Sequence, residues 1–191
     1  GVSVVGVAVT TMALVVTLSV FNGFHDLVAT LFTSFDPQIS IVPAKGKRVP
    51  ADNEKLARVR QLDEILVATE AVEDLALAVY GDRQATVKIK GVTDNFDSLT
   101  NIRSILIGDG EFILHAADLE YGILGIRLTQ NLVGSIVFDH PLQVFAPKRE
   151  GQLNMANPMS GFEQSELYSP SVIFCVNQSK YDKNYIVTSI A

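Results

Sequence analysis

The side chains able to do covalent chemistry are scattered along this chain. Its three histidines, His25, His115 and His140, are far apart, and none belongs to an HExxH or comparable ligand set. His115, in FILHAADLE, has Asp118 and Glu120 close by in sequence, which reads as a satisfied surface histidine sooner than a metal site. Ser160 sits in MSGF, without the G-x-S-x-G of a nucleophile elbow. Asp94, Asn95 and Asp97 in TDNFD do not fall at calcium-loop positions. AKGKRV lacks the GxxxxGK[ST] spacing that cradles nucleotide phosphates. The one cysteine, Cys175, rules out an intramolecular disulfide, and its VIFCVN flanks predict a buried strand thiol. The expectation is a chain without catalytic residues, metal ligands or a cofactor of its own.

A different spacing is informative. Gly6, Thr10, Ala13 and Thr17 recur at i, i+4, i+7 and i+11, which puts small residues on one helical face where another helix can approach closely. They lie in a stretch, residues 1–25, with no Asp, Glu, Lys or Arg. About 20 apolar residues at 1.5 Å rise cover the roughly 30 Å of bilayer hydrocarbon. Buried β-strands are the competing reading, because VSVVGVAV is β-branched and partly alternates. Against them, no turn signal interrupts the run. Phe21, Phe24, Val28, Leu31 and Phe35 then step by three and four, the seam of a helix packed along another. A membrane helix that continues as a stalk is therefore predicted over residues 1–35. Asn22-Gly23 is its weak point, and Asp36-Pro37 its stop.

The remainder is of another character. Over the whole chain 48% of residues are hydrophobic and the net charge is −6, which argues against a nucleic-acid partner, since such binding draws on clustered Lys and Arg. The one dense basic cluster, KGKR, reads as a solvated loop. QISIVPA, residues 38–44, alternates like a strand. Asp52 is placed to cap a helix over residues 53–62, with Leu56, Val59 and Leu62 facing a core. Strands on either side of a turn at Gly81-Asp82, a short helix over 95–103, a helix over 126–132 and a strand in HPLQVFAPK follow. Two more strands, SVIFCVNQ and NYIVTSIA, are joined by SKYDK. Between them and HPLQVFAPK, residues 148–170 are rich in Gly, Pro, Asn, Ser and Gln, with Met155, Met159 and Phe162 as apolar exceptions. That excursion reads as a contact tip, or else as a hairpin packed on its own domain.

Taken together, these segments resemble a known family. GVAVTTMALVVTLSVFNGFHDLVATLFTSFDPQISI, and LSVFNGF most specifically, is similar to the first membrane helix and stalk of lipoprotein-releasing ABC transporter permeases of the LolC/LolE type, within the wider MacB/FtsX-like family. IKGV (89–92), GILGIRLTQNL (122–132), PLQVFAPK (141–148) and VNQSKYDKNYIVTSIA (176–191) resemble that family's periplasmic domain in the same order. Thr10 and Ile173 depart from it, each standing where a Gly is expected.

The resemblance implies an α/β (α+β) architecture: residues 1–35 as transmembrane helix and stalk, and 36–191 as a MacB-like periplasmic domain. That domain would have a porter-like mixed α/β part interrupted by a mostly β part, and would be incomplete at its C-terminal side. The implied place is a bacterial inner membrane, with the main domain in the periplasm. The implied function is a non-catalytic permease subunit that releases lipoproteins to a periplasmic carrier. Its implied partners are a LolD-like ATPase that binds the ATP, a second permease subunit, a LolA-like carrier, lipoprotein cargo and membrane lipid. Thr17, Phe21 and Phe24 would line the lipoprotein cavity, although they read equally as packing against neighbouring helices. Gly6, Thr10 and Ala13 would pack helices together. Asn157, Pro158, Met159 and Phe162 would form a carrier-binding hook. A MacB-like efflux or mechanotransmission permease, and an FtsX-like regulator of a cell-wall hydrolase, are the alternatives.

Overall fold

The computed structural model describes residues 1–33, 35–44, 46, 49–50, 53–148 and 161–190. It is mixed α/β, with an apolar N-terminal helix followed by a sheet-rich domain. Helix α1, Val2–Thr33, runs for 32 residues, about 48 Å at 1.5 Å per residue. No proline falls within it, and Asn22-Gly23 remains helical. The helix ends at Thr33, four residues ahead of Pro37, whose restriction on Asp36 bars a helix from running past it.

Two expectations fail between α1 and the sheet. Residues 38–44 do not form a strand: Ile39, Ile41 and Val42 are exposed, and no ladder joins them to any described strand. Alternation makes a segment strand-competent, but a ladder needs a free edge beside it. Helix α2, Glu54–Arg60, begins at Asn53, whose side-chain oxygen accepts the Lys55 N–H at 2.9 Å. The cap is therefore Asn53; the expected Asp52 lies outside the described residues. This helix buries none of its residues, and Leu62 beyond it is exposed, so the expected core face meets no core. An Arg60–Glu70 ion pair at 2.6 Å ties its end to the returning chain.

Strands β1, Ala71–Tyr80, and β2, Arg83–Val92, form a hairpin with Ala71 opposite Val92 and Tyr80 opposite Arg83. Gly81 takes φ +57 in its two-residue turn, a conformation that favours glycine. The expected helix over 95–103 is divided by an extended Thr100 into α3, Phe96–Leu99, and a 3-10 turn, Ile102–Ile105. Strand β3, Leu106–Gly108, and the short pair β4, His115–Ala116, and β5, Leu119–Glu120, follow. After β6, Ile123–Leu124, helix α4 occupies Ile126–Leu132 as the sequence predicts. Strands β7, Leu142–Pro147, and β8, Phe162–Leu167, form a second hairpin across the 148–161 region, with Pro147 opposite Phe162. Strand β9, Val172–Phe174, pairs with β3; helix α5, Ser179–Asp182, takes the SKYDK position; β10, Tyr185–Ser189, is the last strand.

The main sheet has the order β6-β10-β2-β1-β7-β8, with β10 parallel to β2. Period-two alternation gives it a core on each face. On one face Ala76, Ala78, Val87, Val144 and Ile186 pack under Leu128 and Leu132 of α4. Small Ala side chains on the sheet leave room for the leucines of the helix. On the other face Val92, Ile123, Tyr185 and Val187 pack with Phe96, Ile102, Phe174 and Phe35, the last of which arrives from the end of α1. Gly125 ahead of α4 leaves space for the Asp182 carbonyl, which a Cβ there would meet at 2.5 Å.

Candidate functional site: the apolar helix and its joint with the sheet

Within α1, Val2–His25 is long and apolar enough to cross a membrane, and none of its most apolar window is buried inside the protein. Two hydroxyls of this stretch bond to the helix's own backbone. Thr10 Oγ1 donates to the Gly6 and Val7 carbonyls at 3.0 Å, and Thr17 Oγ1 to the Ala13 carbonyl at 2.8 Å. Back-bonding of this kind removes the cost of placing a hydroxyl in hydrocarbon. Gly6, Thr10, Ala13 and Thr17 remain along one side, and no atom lies within 4 Å of where a Gly6 Cβ would sit. Phe21 and Phe24 are 69% and 64% exposed. The helix thus presents large apolar rings and a small-residue stripe, and among the described residues nothing buries the most apolar window that carries them.

The lower end is built in the opposite way. Phe35 is 1% exposed, with its ring 4.7 Å from Tyr181, 5.1 Å from Phe174 and 5.4 Å from Tyr185. Lys90, in the middle of the sheet, is 3% exposed. Its Nζ donates to the Phe35 carbonyl and to Asp36 Oδ1, each at 3.2 Å, and pairs with Glu73 Oε1 at 3.7 Å. It also lies 4.4 Å from the centre of the Phe35 ring and 5.3 Å from that of Phe96. A buried ammonium is tolerable only when partnered in this manner.

Each carboxylate is held by a phenol in turn. Tyr181 donates to Asp36 Oδ2, and Tyr185 donates to Glu73 Oε2 at 3.1 Å. Burial, then the hydrogen bond to Asp36, pushes the Tyr181 hydroxyl far above the ordinary phenol range. Burial, then the Glu73 charge, does the same for Tyr185. Both therefore stay protonated donors throughout the neutral range.

Sequence reasoning missed this cluster. The available signal was Lys90 falling in phase with the apolar Val92 on one face of a strand, which alone does not distinguish a surface lysine from a buried one.

Among the described residues, the other candidates singled out from the sequence are not gathered into one cluster. Asn157, Pro158 and Met159 lie outside the described residues. Phe162 is half-buried at the first position of β8. His115 Nδ1 is 3.4 Å from Asp94 Oδ1, a partner that neither Asp118 nor Glu120 anticipated. Cys175 is half-buried just past β9, with its thiol 3.4 Å from Asn177 Oδ1. Arg60, Ala68, Glu70, Thr93, Asp94 and Asn95 line an open cleft, but the strongly shifted hydroxyls Tyr181 and Tyr185 are not among them. Among the described residues no three His, Cys, Asp or Glu side chains converge on a metal-sized position. In comparisons with protein-family models and with curated proteins, the chain matches neither a family nor a protein.

Proposed function

We propose that this chain is a membrane-spanning permease subunit of an ABC transporter that releases lipoproteins from the inner membrane to a periplasmic carrier. The observation that carries this reading is the contrast along α1. Its first 24 residues are apolar with none of the span's core window buried in the protein, and two residues past its end the chain is locked into a folded sheet.

In this reading the Val2–His25 segment lies in lipid beside helices of a second permease subunit, which meet it at Gly6, Thr10 and Ala13. Thr17, Phe21 and Phe24 face the path of the cargo acyl chains. Moving an acyl chain from bilayer to an apolar cavity exchanges one hydrocarbon environment for another, so no covalent step is required of this subunit. Energy comes from a separate LolD-like ATPase. The sheet domain is the periplasmic part, with MacB-like subdomains. The excursion between β7 and β8, with Asn157, Pro158 and Met159, receives a LolA-like carrier together with Phe162 at the start of β8.

The joint at Lys90 equally suits a second reading, a mechanotransmission permease that moves no acyl cargo. One experiment separates the two. A photo-crosslinking residue placed at Phe21 or Phe24 in the membrane-embedded chain is expected to give an adduct heavier by a whole lipoprotein. Adducts with phospholipid or neighbouring helices alone would reject acyl-cargo transport.

A further inference from the structure

We infer that the Asp74 carboxylate keeps an open strand edge closed to a second copy of this chain, by holding the Leu75 N–H that an added strand would need. The inference does not depend on what the chain transports.

The edge follows from the hairpin register. Tyr80 lies opposite Arg83 across the two-residue turn, and residues flanking such a turn exchange both backbone hydrogen bonds. Counting back in steps of two, the even-numbered residues of β1 direct their backbone groups at β2, while Ala71, Glu73, Leu75, Leu77 and Val79 direct theirs away from it. A contact on the far side of β2 agrees: Lys88, opposite Leu75, donates its N–H at 2.6 Å to the Asn184 carbonyl. Strand β7 takes up the outward groups of Leu77 and Val79, opposite Phe145 and Gln143. The same register would next set Pro147 against Leu75, and a proline has no N–H to give. The ladder stops there, and among the described residues no strand pairs with Ala71, Glu73 or Leu75 on this side. All of them are exposed.

Such an edge is a template for pairing. It is also self-complementary. Set antiparallel to itself about a two-fold axis at Glu73, it places Ala71 of each copy opposite Leu75 of the other, with outward backbone groups facing outward backbone groups. The Leu75 side chain, 54% exposed, would be covered in the same step. Asp74 stands against this. Its Oδ1 accepts the Leu75 N–H at 3.0 Å, so the donor that the neighbouring strand would use at each end of the pairing is already taken. The other margins of the sheet are blunted in their own ways: β8 exposes Glu163 and Glu166, and β6 is two residues long.

The test counts covalent dimers of the full chain in detergent. In a Cys175→Ser background, Ala71→Cys and Leu75→Cys are introduced together. Within one strand these positions lie about 13 Å apart, too far to bridge. Across the two-fold pairing they come to about 5.5 Å, which a disulfide spans. With Asp74 in place, oxidation is expected to yield little disulfide-linked dimer on a non-reducing gel. Asp74→Ala, which removes the acceptor, is expected to raise that dimer about tenfold. Asp74→Asn, which keeps an oxygen to accept the same N–H and loses the charge, is expected to behave as the unchanged residue. Equal dimer yields with Asp74 and with Asp74→Ala overturn the inference. So does an Asp74→Asn yield that matches Asp74→Ala, since charge alone would then hold the copies apart. Should Asp74→Ala lower the urea midpoint of the sheet, Asp74→Val, a stronger strand former without an acceptor, decides on the same outcomes.

Discussion

The two ends of helix α1 obey inverted rules. Along Val2–His25 the valines, leucines and phenylalanines face outward. At the joint an ammonium and a phenylalanine are buried side by side. The difference teaches that one chain can carry a segment long and apolar enough to cross a membrane beside a domain with a core of its own. None of the upper helix's most apolar window is buried by the described residues, which is the pattern that suits an apolar surrounding. The joint gains everything from its own protein, because each polar atom has been given a partner before being removed from water.

The comparison breaks most severely at the residue where both regimes meet. Phe35→Ala removes a ring packed on Phe174, Tyr181 and Tyr185. It is expected to destabilise the sheet domain by about 3–5 kcal/mol, read as a lower urea midpoint, and to leave membrane association unchanged. Leu14→Arg does the reverse. Placing a guanidinium near the middle of the apolar span costs about 3 kcal/mol of insertion, seen as loss of the chain from the membrane fraction, with the sheet's own urea midpoint preserved.

A smaller effect sharpens the contrast through pH. The folded-state values of Tyr181 and Tyr185 are raised above those of the unfolded chain. Their contribution is therefore complete below the free phenol value of about 10 and is lost as pH rises towards the folded values. Stability measured by urea unfolding should fall above about pH 10. The double variant Tyr181→Phe, Tyr185→Phe should lose about 1 kcal/mol per hydroxyl at neutral pH and show a flatter alkaline decline. An alkaline decline identical in the variant would show that other groups cause it.

Where the sequence signal was local, the elements appear where it places them. The helix over Ile126–Leu132 has its leucines at helical spacing, and the hairpin at Gly81-Asp82 has its turn residues in place. The Gln38–Ala44 segment shows the limit. Its alternation is as clear as that of β10, yet β10 lies between β2 and β6 while residues 38–44 lie beside no described edge. Strand propensity is a statement about one segment; a ladder is a statement about two.

The sequence by itself determined that the first 25 residues carry no formal charge and continue without a break into a seam of apolar residues. Length, charge and periodicity are properties of consecutive residues, so they can be read along a line. Only the tertiary structure decided that Lys90 is buried, that Asp36 and Glu73 share it, and that two tyrosines more than 100 residues further along hold those carboxylates. Such a cluster gathers residues from separate strands and a helix end, and its members acquire their protonation and their roles only from the neighbours that folding brings to them.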